Sequence, residues 1–539
     1  MRIQLFLKKN ANFILFGIIV LAFGLRYYKI GEHGLAGDEK YSLFVSQFVT
    51  YEGNNQHDSV RKPNDKYFTP KEFWSEKSLP DFFDSIARLD TGNGAFYTYS
   101  LHYWTNLFGV SDKSLRLPSL IFNLFTIVLL FVFVKEHFRS PNLALLAAFL
   151  ASVSPFYINY SQVARNYSIN LFFALLATHL FLKIIQEEEY SLKPVWKYVF
   201  YGCCALICEL CHFATFPLFV IHALFVILCF RKKRGYFGFT LAAIIPLIGV
   251  LLWLNCDGGR WLFDYVANSV KTYNQMALTT PDDYLKVTNF KNILKQLRHV
   301  ISAMFLLIDG YPSQTIFYKK IYLLIILSAL FGFFVFVQQS LKIFDRQQFR
   351  LRVLILLLSF IPLLTLIVFA YQDGNTFRIM PRYLAYSYSF SLVLISLIIK
   401  DLWNNKSIFK FAIFGIFSLQ FFMVFRLINT IWEDNSPRYF MSFSEPRKMN
   451  PYEFAASMIQ GEYAKGDTVI YPSVFIEKRG GVDMPSYSVS DAQLTNFYLP
   501  KDAEFIQRVD IQEENKIIIK KANGSEKLIF DFKGAKYRY

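Results

Sequence analysis

The sequence predicts a mainly α-helical, polytopic membrane protein that ends in a small extracytoplasmic α/β domain. Three observations predict it. Apolar runs long enough to cross a bilayer recur through residues 1–431, basic residues gather in alternate loops between them, and residues 432–539 switch to a water-soluble helix-and-strand pattern. A mean hydropathy of +0.29 with 54% hydrophobic residues is not a soluble globular composition, so lipid takes over part of the role of a core.

The first run, 12–29, follows a basic start, as the apolar part of a signal peptide would. It is long, ends in Arg26-Tyr27-Tyr28 and lacks a small-x-small cleavage pattern, so it reads as a retained helix with a cytoplasmic N-terminus. A spanning helix takes about 20 apolar residues, and ten further runs qualify: 116–134, 142–158, 167–185, 196–211, 214–230, 236–254, 320–338, 351–371, 383–400 and 411–431. Only a tight turn, within "CELCHFATFPLF", separates 196–211 from 214–230.

The loops then sort by parity. One set is short and basic: Arg2, Lys8 and Lys9; Lys135 and Arg139; Lys193 and Lys197; "RKKR" at 231–234; Lys342, Arg346 and Arg350; Lys400, Lys406 and Lys410. Basic loops stay cytoplasmic. The long segments 31–113, with amphipathic helices expected on the outer face, 255–318, and the tail from 432 fall on the opposite side. In the tail, "NPYEFAASMIQGEYAKGDTVIYPS" reads as helix, turn and strand, and "NKIIIKKANGSEKLIFDF" as a hairpin closed by Asn-Gly. The chain therefore divides into a membrane domain, 1–431, and an extracytoplasmic domain, 432–539.

The net charge of +16 would suggest nucleic acid in a soluble protein, but here it follows the topology and no nucleic-acid motif accompanies it. Five of the six cysteines, 203, 204, 208, 211 and 229, fall in or beside apolar runs. Cys208 and Cys211 form a single CxxC without a second pair, so packing fits better than zinc.

Four polar groups gather at the outer face. Asp38-Glu39 in "GLAGDEKYS" lies just beyond a membrane exit; it is either solvated loop or the rim of an active site. Arg165 stands in "SPFYINYSQVARNYSINLFF" among Tyr157, Tyr160 and Tyr167. An arginine here either snorkels to headgroups or holds a phosphate with its two-pronged guanidinium. Arg378 and Arg382 in "QDGNTFRIMPRYLAYS" pose the same choice. Glu209 and His212 sit one helical turn apart, as a satisfied boundary pair or as part of a pocket. Acids that can deprotonate a hydroxyl and arginines that can hold phosphate, on one membrane face, suit transfer from a lipid-phosphate donor. No glycine-rich loop is present to cradle a nucleotide.

At these residues the chain resembles the GT-C membrane glycosyltransferases, specifically the dolichyl-phosphate-mannose protein mannosyltransferase superfamily and its bacterial polyprenyl-phosphate-sugar-dependent, aminoarabinose-transferase-like relatives. "GDEKYS" resembles the acidic motif of their first outer loop. "SDKSLRLPSLIFNLF" and "ASVSPFYINYSQVARNYSINLFF" resemble two successive helix signatures, the second being the most specific. "HFATFPLF", "RIMPRYLAYSYSF" and "MNPYEFAASMIQGEYAKGDTVIYPS" follow in the family's order.

The resemblance implies inverting transfer of a hexosyl or pentosyl group from a polyprenyl-phosphate donor to a protein, glycan or lipid acceptor. It assigns the catalytic acid position to Asp38 with Glu39 beside it, and the donor phosphate to Arg165 and, more softly, Arg382. Asn93, His102, Tyr160, Tyr167, Glu209, His212 and Arg378 complete the expected pocket. One departure stands out: Asn93-Gly94-Ala95 occupy the place where the family often shows a basic residue and two prolines. Family members differ in their use of metal, which leaves a divalent ion open, and no ligand set in this chain is compelling. The form of the motifs suits a bacterial inner membrane. Within enzymes the alternative is a lipid-linked glycan polymerase or ligase. A lipid or solute transporter is disfavoured, because charge lies at the outer boundary rather than the midplane and no inverted halves are visible.

Overall fold

Each predicted apolar run is mainly helical among the described residues, but not all of the eleven expected spans are long and apolar enough to cross a bilayer. The computed structural model describes residues 10–35, 37–50, 69–90, 93–188, 195–229, 233–281, 285–307, 316–405, 409–432, 449–472, 474–479, 482–487, 489–510 and 515–532. Arg2, Lys8, Lys9, Lys193, Arg231, Lys232 and Lys406 of the basic loops lie outside them, as does residue 36 of "GLAGDEKYS". Six helices among the described residues are long and apolar enough to cross a bilayer: Asp112–His137, Tyr167–Gln186, Gly235–Asn255, Leu323–Leu341, Arg346–Asp373 and Pro381–Asn404. A bent pair makes a seventh, and Ala11–Tyr27, Phe213–Leu228 and Ile413–Arg426 are shorter apolar helices. The protein is a multi-pass membrane protein.

Two runs differ from the simple helices expected. The run 142–158 is broken into Pro141–Ser152 and Pro155–Ser161, with a 58° bend. The cause is Pro155, which forces Ser154 into an extended conformation (ψ 121°) and then starts the next helix at its first position. The run 383–400 begins as a 3₁₀ helix, Pro381–Ser387, before the α-helix Tyr388–Asn404.

The chain forms two compact units. The first comprises residues 1–28, 119–250 and 272–444. Its core joins Phe133, Leu150, Phe156, Phe181, Leu358, Phe390 and Leu394, all buried. Arg26 ends the first helix fully buried. It donates to the carbonyls of Ala22 (3.0 Å), Ala151 (3.0 Å) and Ser152 (2.9 Å) and to Asn123 Oδ1 (2.8 Å), so it caps the helix that stops at Ser152.

The second unit comprises residues 29–118, 251–271 and 445–539. Helices Gly37–Ser46, Leu79–Leu89 and Ala95–Phe108 pack Val45, Phe48, Phe82 and Ile86 together with Trp253. Ser78 and Asp81 close a capping box at the start of Leu79–Leu89. Its C-terminal part holds the expected helix, Pro451–Glu462, and six strands: β1 Thr468–Pro472, β2 Val474–Arg479, β3 Val482–Tyr487, β4 Ile506–Asp510, β5 Lys516–Lys520 and β6 Glu526–Asp531. β4, β1, β5 and β6 form one sheet in that order, with β1–β4 parallel and the other pairs antiparallel; β2 and β3 pair separately. Gly524 (φ 84°) supplies the left-handed residue of the β5–β6 turn.

Candidate active site

In the first unit, the turn 162–166 joins helix Pro155–Ser161 to helix Tyr167–Glu188 and carries Arg165. Gln162 fixes the turn by donating to the carbonyls of Arg26 (2.9 Å) and Tyr28 (3.0 Å), and Ser119 Oγ donates to the Arg165 carbonyl (3.2 Å). Arg165 itself is buried. Asn166 Nδ2 donates to the Cys211 carbonyl, and Asn170 Nδ2 donates to the Cys208 carbonyl (3.0 Å) and to Thr215 Oγ1 (2.8 Å). These bonds stitch the Arg165 segment to the end of helix Trp196–Cys211, which bears Glu209 and leads into His212.

The His212 ring lies 6.1 Å from the Tyr167 ring and 5.8 Å from the Tyr383 ring, and Tyr167 stands edge-on to Tyr160 at 4.9 Å. His212 Nδ1 accepts from the Ala214 N–H (3.1 Å), which leaves the proton of a neutral ring on Nε2. The positive charges of Arg165 and Arg382 both act on His212. Tyr160, Tyr167, His212 and Tyr383 therefore form one aromatic cluster, with Arg165 two residues before Tyr167, Arg382 next to Tyr383, and both charges within electrostatic reach of His212. Arg378 goes elsewhere: its Nε pairs with Asp373 at 2.9 Å, with the guanidinium over the Phe369 ring.

In the second unit, Asp38 sits half-buried in the first turn of helix Gly37–Ser46, where a carboxylate suits the helix dipole. Glu39 is fully buried and receives Arg116 through two bonds, Nε to Oε1 at 2.8 Å and a terminal guanidinium nitrogen to Oε2 at 2.9 Å. Arg116 also donates to the carbonyls of Ile30, His33 and Gly34, each at 2.9 Å, and so ties down the loop before the acid helix. His102 has both ring nitrogens engaged, with the Ser46 carbonyl (2.8 Å) and with Asn106 (2.9 Å), and stacks on Phe48 at 4.2 Å. Asn93 is half-buried, its N–H bonded to the Asp90 carbonyl, ahead of the left-handed Gly94 (φ 74°) that starts helix Ala95–Phe108.

Residues 94–253 match the family described as dolichyl-phosphate-mannose-protein mannosyltransferase. No curated protein matches the chain. Among solved structures it is similar to the Archaeoglobus fulgidus oligosaccharyltransferase tethered with an acceptor peptide, at 14% identity and a TM-score of 0.48, over 85% of this chain and 58% of that one. It is similar also to the Archaeoglobus fulgidus oligosaccharyltransferase AglB in complex with an inhibitory peptide and a dolichol-phosphate, at 13% identity and a TM-score of 0.44, over 85% of this chain and 59% of that one. ArnT from Cupriavidus metallidurans in the apo state follows at 10% identity and a TM-score of 0.36, over 92% of this chain and 84% of that one. This chain thus spans less than two thirds of the archaeal enzyme's length.

The family match covers Arg165, Glu209 and His212, while Asp38, Glu39 and Arg382 lie outside it. Among the described residues, no three or more His, Cys, Asp and Glu side chains come together to hold a metal ion. Chemically, two guanidiniums and an imidazole N–H on one place can neutralise a phosphate in a poorly solvated site. Sequence reasoning missed three supports of the acid-bearing unit. Arg116 was visible only as one letter of the "LRLPS" signature. Lys40 is buried over the Tyr452 ring at 5.5 Å, and burial pulls its pKa down to about 8 against the opposing pull of Asp491, Asp112 and Glu39. Asp112 accepts from Asn450 (3.0 Å) and Tyr498 (2.8 Å), and Tyr452 donates to Asp491 (2.9 Å). A buried charge carries no signal of its own when its partner lies more than three hundred residues away in sequence.

Proposed function

We propose that the protein is an inverting glycosyltransferase that moves a sugar from a polyprenyl-phosphate donor to a hydroxyl acceptor on the extracytoplasmic face of the membrane. The observation that supports this reading is that the His212 ring stands between Tyr167 and Tyr383, which brings Arg165 and Arg382, from separate elements, within electrostatic reach of it. Two fixed guanidiniums beside an imidazole suit a phosphate that gains charge as the sugar leaves. Asp38 takes the acceptor proton as the acceptor oxygen bonds to the anomeric carbon. The bond from that carbon to the phosphate oxygen breaks with it, and the electron pair stays on the polyprenyl phosphate. Arg165, Arg382 and His212 stabilise that charge. Glu39 anchors the acid helix to Arg116 and so holds Asp38 in position.

Turnover of a polyprenyl-phosphate sugar by purified Arg165 variants tests this. Arg165→Lys keeps the charge but loses the fork, so it should be nearly as damaging as Arg165→Ala. Each should lose about 2–4 kcal/mol of transition-state stabilisation, as expected for one such donor. Near-normal turnover by a well-folded Arg165→Ala protein removes the residue from the site.

A further inference from the structure

The elements that bring Arg165, His212 and Arg382 together also carry four buried polar atoms with no hydrogen-bond partner. They are Glu209 Oε1, Asn166 Oδ1, the Tyr386 hydroxyl and the Ser387 hydroxyl. Glu209 is 7% exposed, Asn166 and Tyr386 2%, and Ser387 is fully buried. Leaving one such atom unsatisfied costs about 1–3 kcal/mol, so several on neighbouring elements call for a common explanation.

Their placement is specific. Asn166 follows Arg165 directly, and its amide is bonded to the carbonyl of Cys211, two residues beyond Glu209. The charge of Glu209 acts on Tyr386. Tyr386 and Ser387 share the 3₁₀ helix Pro381–Ser387 with Arg382. The same three segments thus present cations and, beside them, a set of hungry acceptors and hydroxyls. Asn166 Oδ1 can only accept, the Glu209 carboxyl accepts and when protonated also donates, and the Tyr386 and Ser387 hydroxyls can donate or accept.

Atoms that want O–H donors, next to cations that want phosphate, match a sugar joined to a phosphate. The geometry points to Glu209, Asn166, Tyr386 and Ser387 as the subsite that receives the hydroxyl groups of the donor sugar. This assignment rests on the transferase reading above. It makes Glu209 a residue that discriminates between sugars, since a buried acceptor left without its hydroxyl rejects the wrong substrate. Ordered water is the competing occupant of such a place.

The test is equilibrium binding of short-chain polyprenyl phosphates to the purified full-length protein, with probes bearing no sugar, a hexose or a pentose. The wild type should bind at least one sugar-bearing probe about tenfold or more tighter than the sugar-free one, the size of one well-made buried hydrogen bond. Tyr386→Phe and Glu209→Leu, which remove the hydroxyl and the carboxyl at similar size, should erase most of that preference and leave sugar-free binding unchanged. Arg165→Ala should weaken all probes alike. If the wild type shows no preference, or both variants keep it while Arg165→Ala weakens every probe, the four atoms hold water. The sugar assignment then fails and the transferase reading stands. If no probe binds the wild type, or Arg165→Ala binds all of them normally, the transferase reading fails and the subsite falls with it.

Discussion

Asp38 and Glu39 are neighbours in sequence and occupy opposite environments. Helical neighbours diverge by about 100°, and here the divergence puts Glu39 fully inside against Arg116 while Asp38 stays half-buried. That split was legible from helix geometry alone; the identity of the partner was not, because Arg116 lies 77 residues away. Removing one member of a buried ion pair strands the other, at about 3–5 kcal/mol. Glu39→Ala should therefore lower thermal stability markedly, whereas Asp38→Asn should leave it within about 0.5 kcal/mol. Thermal unfolding of the two purified variants checks this, and an Asp38→Asn protein as unstable as Glu39→Ala would make both acids structural. Lys40 gives a pH dependence. Burial lowers its pKa from 10.5 to about 8, with Asp491, Asp112 and Glu39 opposing. Between those values the folded protein has released a proton that the unfolded chain keeps. Stability from this residue is thus complete above the unfolded value and is lost as pH falls through about 8. The melting temperature should rise with pH across that window in the wild type, and Lys40→Met should remove that part of the slope.

The spanning helices were legible because each needs only a run of apolar residues, and the run itself is the physical cause. The ends were legible less well. The proline at 155 signals a break in principle, yet the apolar pattern continues through it and masks the bend seen between Ser152 and Pro155. In the C-terminal part, the Asn523-Gly524 dipeptide announced the β5–β6 hairpin correctly, but the parallel pairing of β1 with β4 depends on contacts that no local pattern encodes. The turn offers a test at this scale. Gly524 has φ 84° with nothing within 4 Å of an added Cβ, so strain alone should set the effect of a substitution. Gly524→Val should destabilise the hairpin by about 1–2 kcal/mol and speed limited proteolysis near residue 524, while Gly524→Asn, which tolerates the left-handed region, should be milder. Equal proteolysis rates for the two variants would place the turn's stability elsewhere.

For the molecule as a whole, the two compact units divide the candidate chemistry between them: the arginines with His212 in one, the acid pair with Arg116 in the other. Composition anticipated a chain of many apolar helices with a small C-terminal sheet. It did not anticipate that residues 29–118, 251–271 and 445–539 would pack as one body, because its stitches, such as Asp112 to Tyr498 and Gln493 to the Thr50 carbonyl, join residues hundreds apart. Alternating basic loops predict that the segments 31–113 and 255–318 and the tail lie outside the membrane. In single-cysteine variants of intact cells, an impermeant thiol reagent should label position 525 and spare position 233; labelling of position 233 from outside would reverse the map. The most direct measurement is turnover of a polyprenyl-phosphate sugar by purified wild-type and Asp38→Asn protein, with donor binding followed in parallel. Asp38→Asn keeps the shape of the side chain and removes its basicity, so transfer should fall to background while the donor still binds. An Asp38→Asn protein that turns over like the wild type would contradict the account.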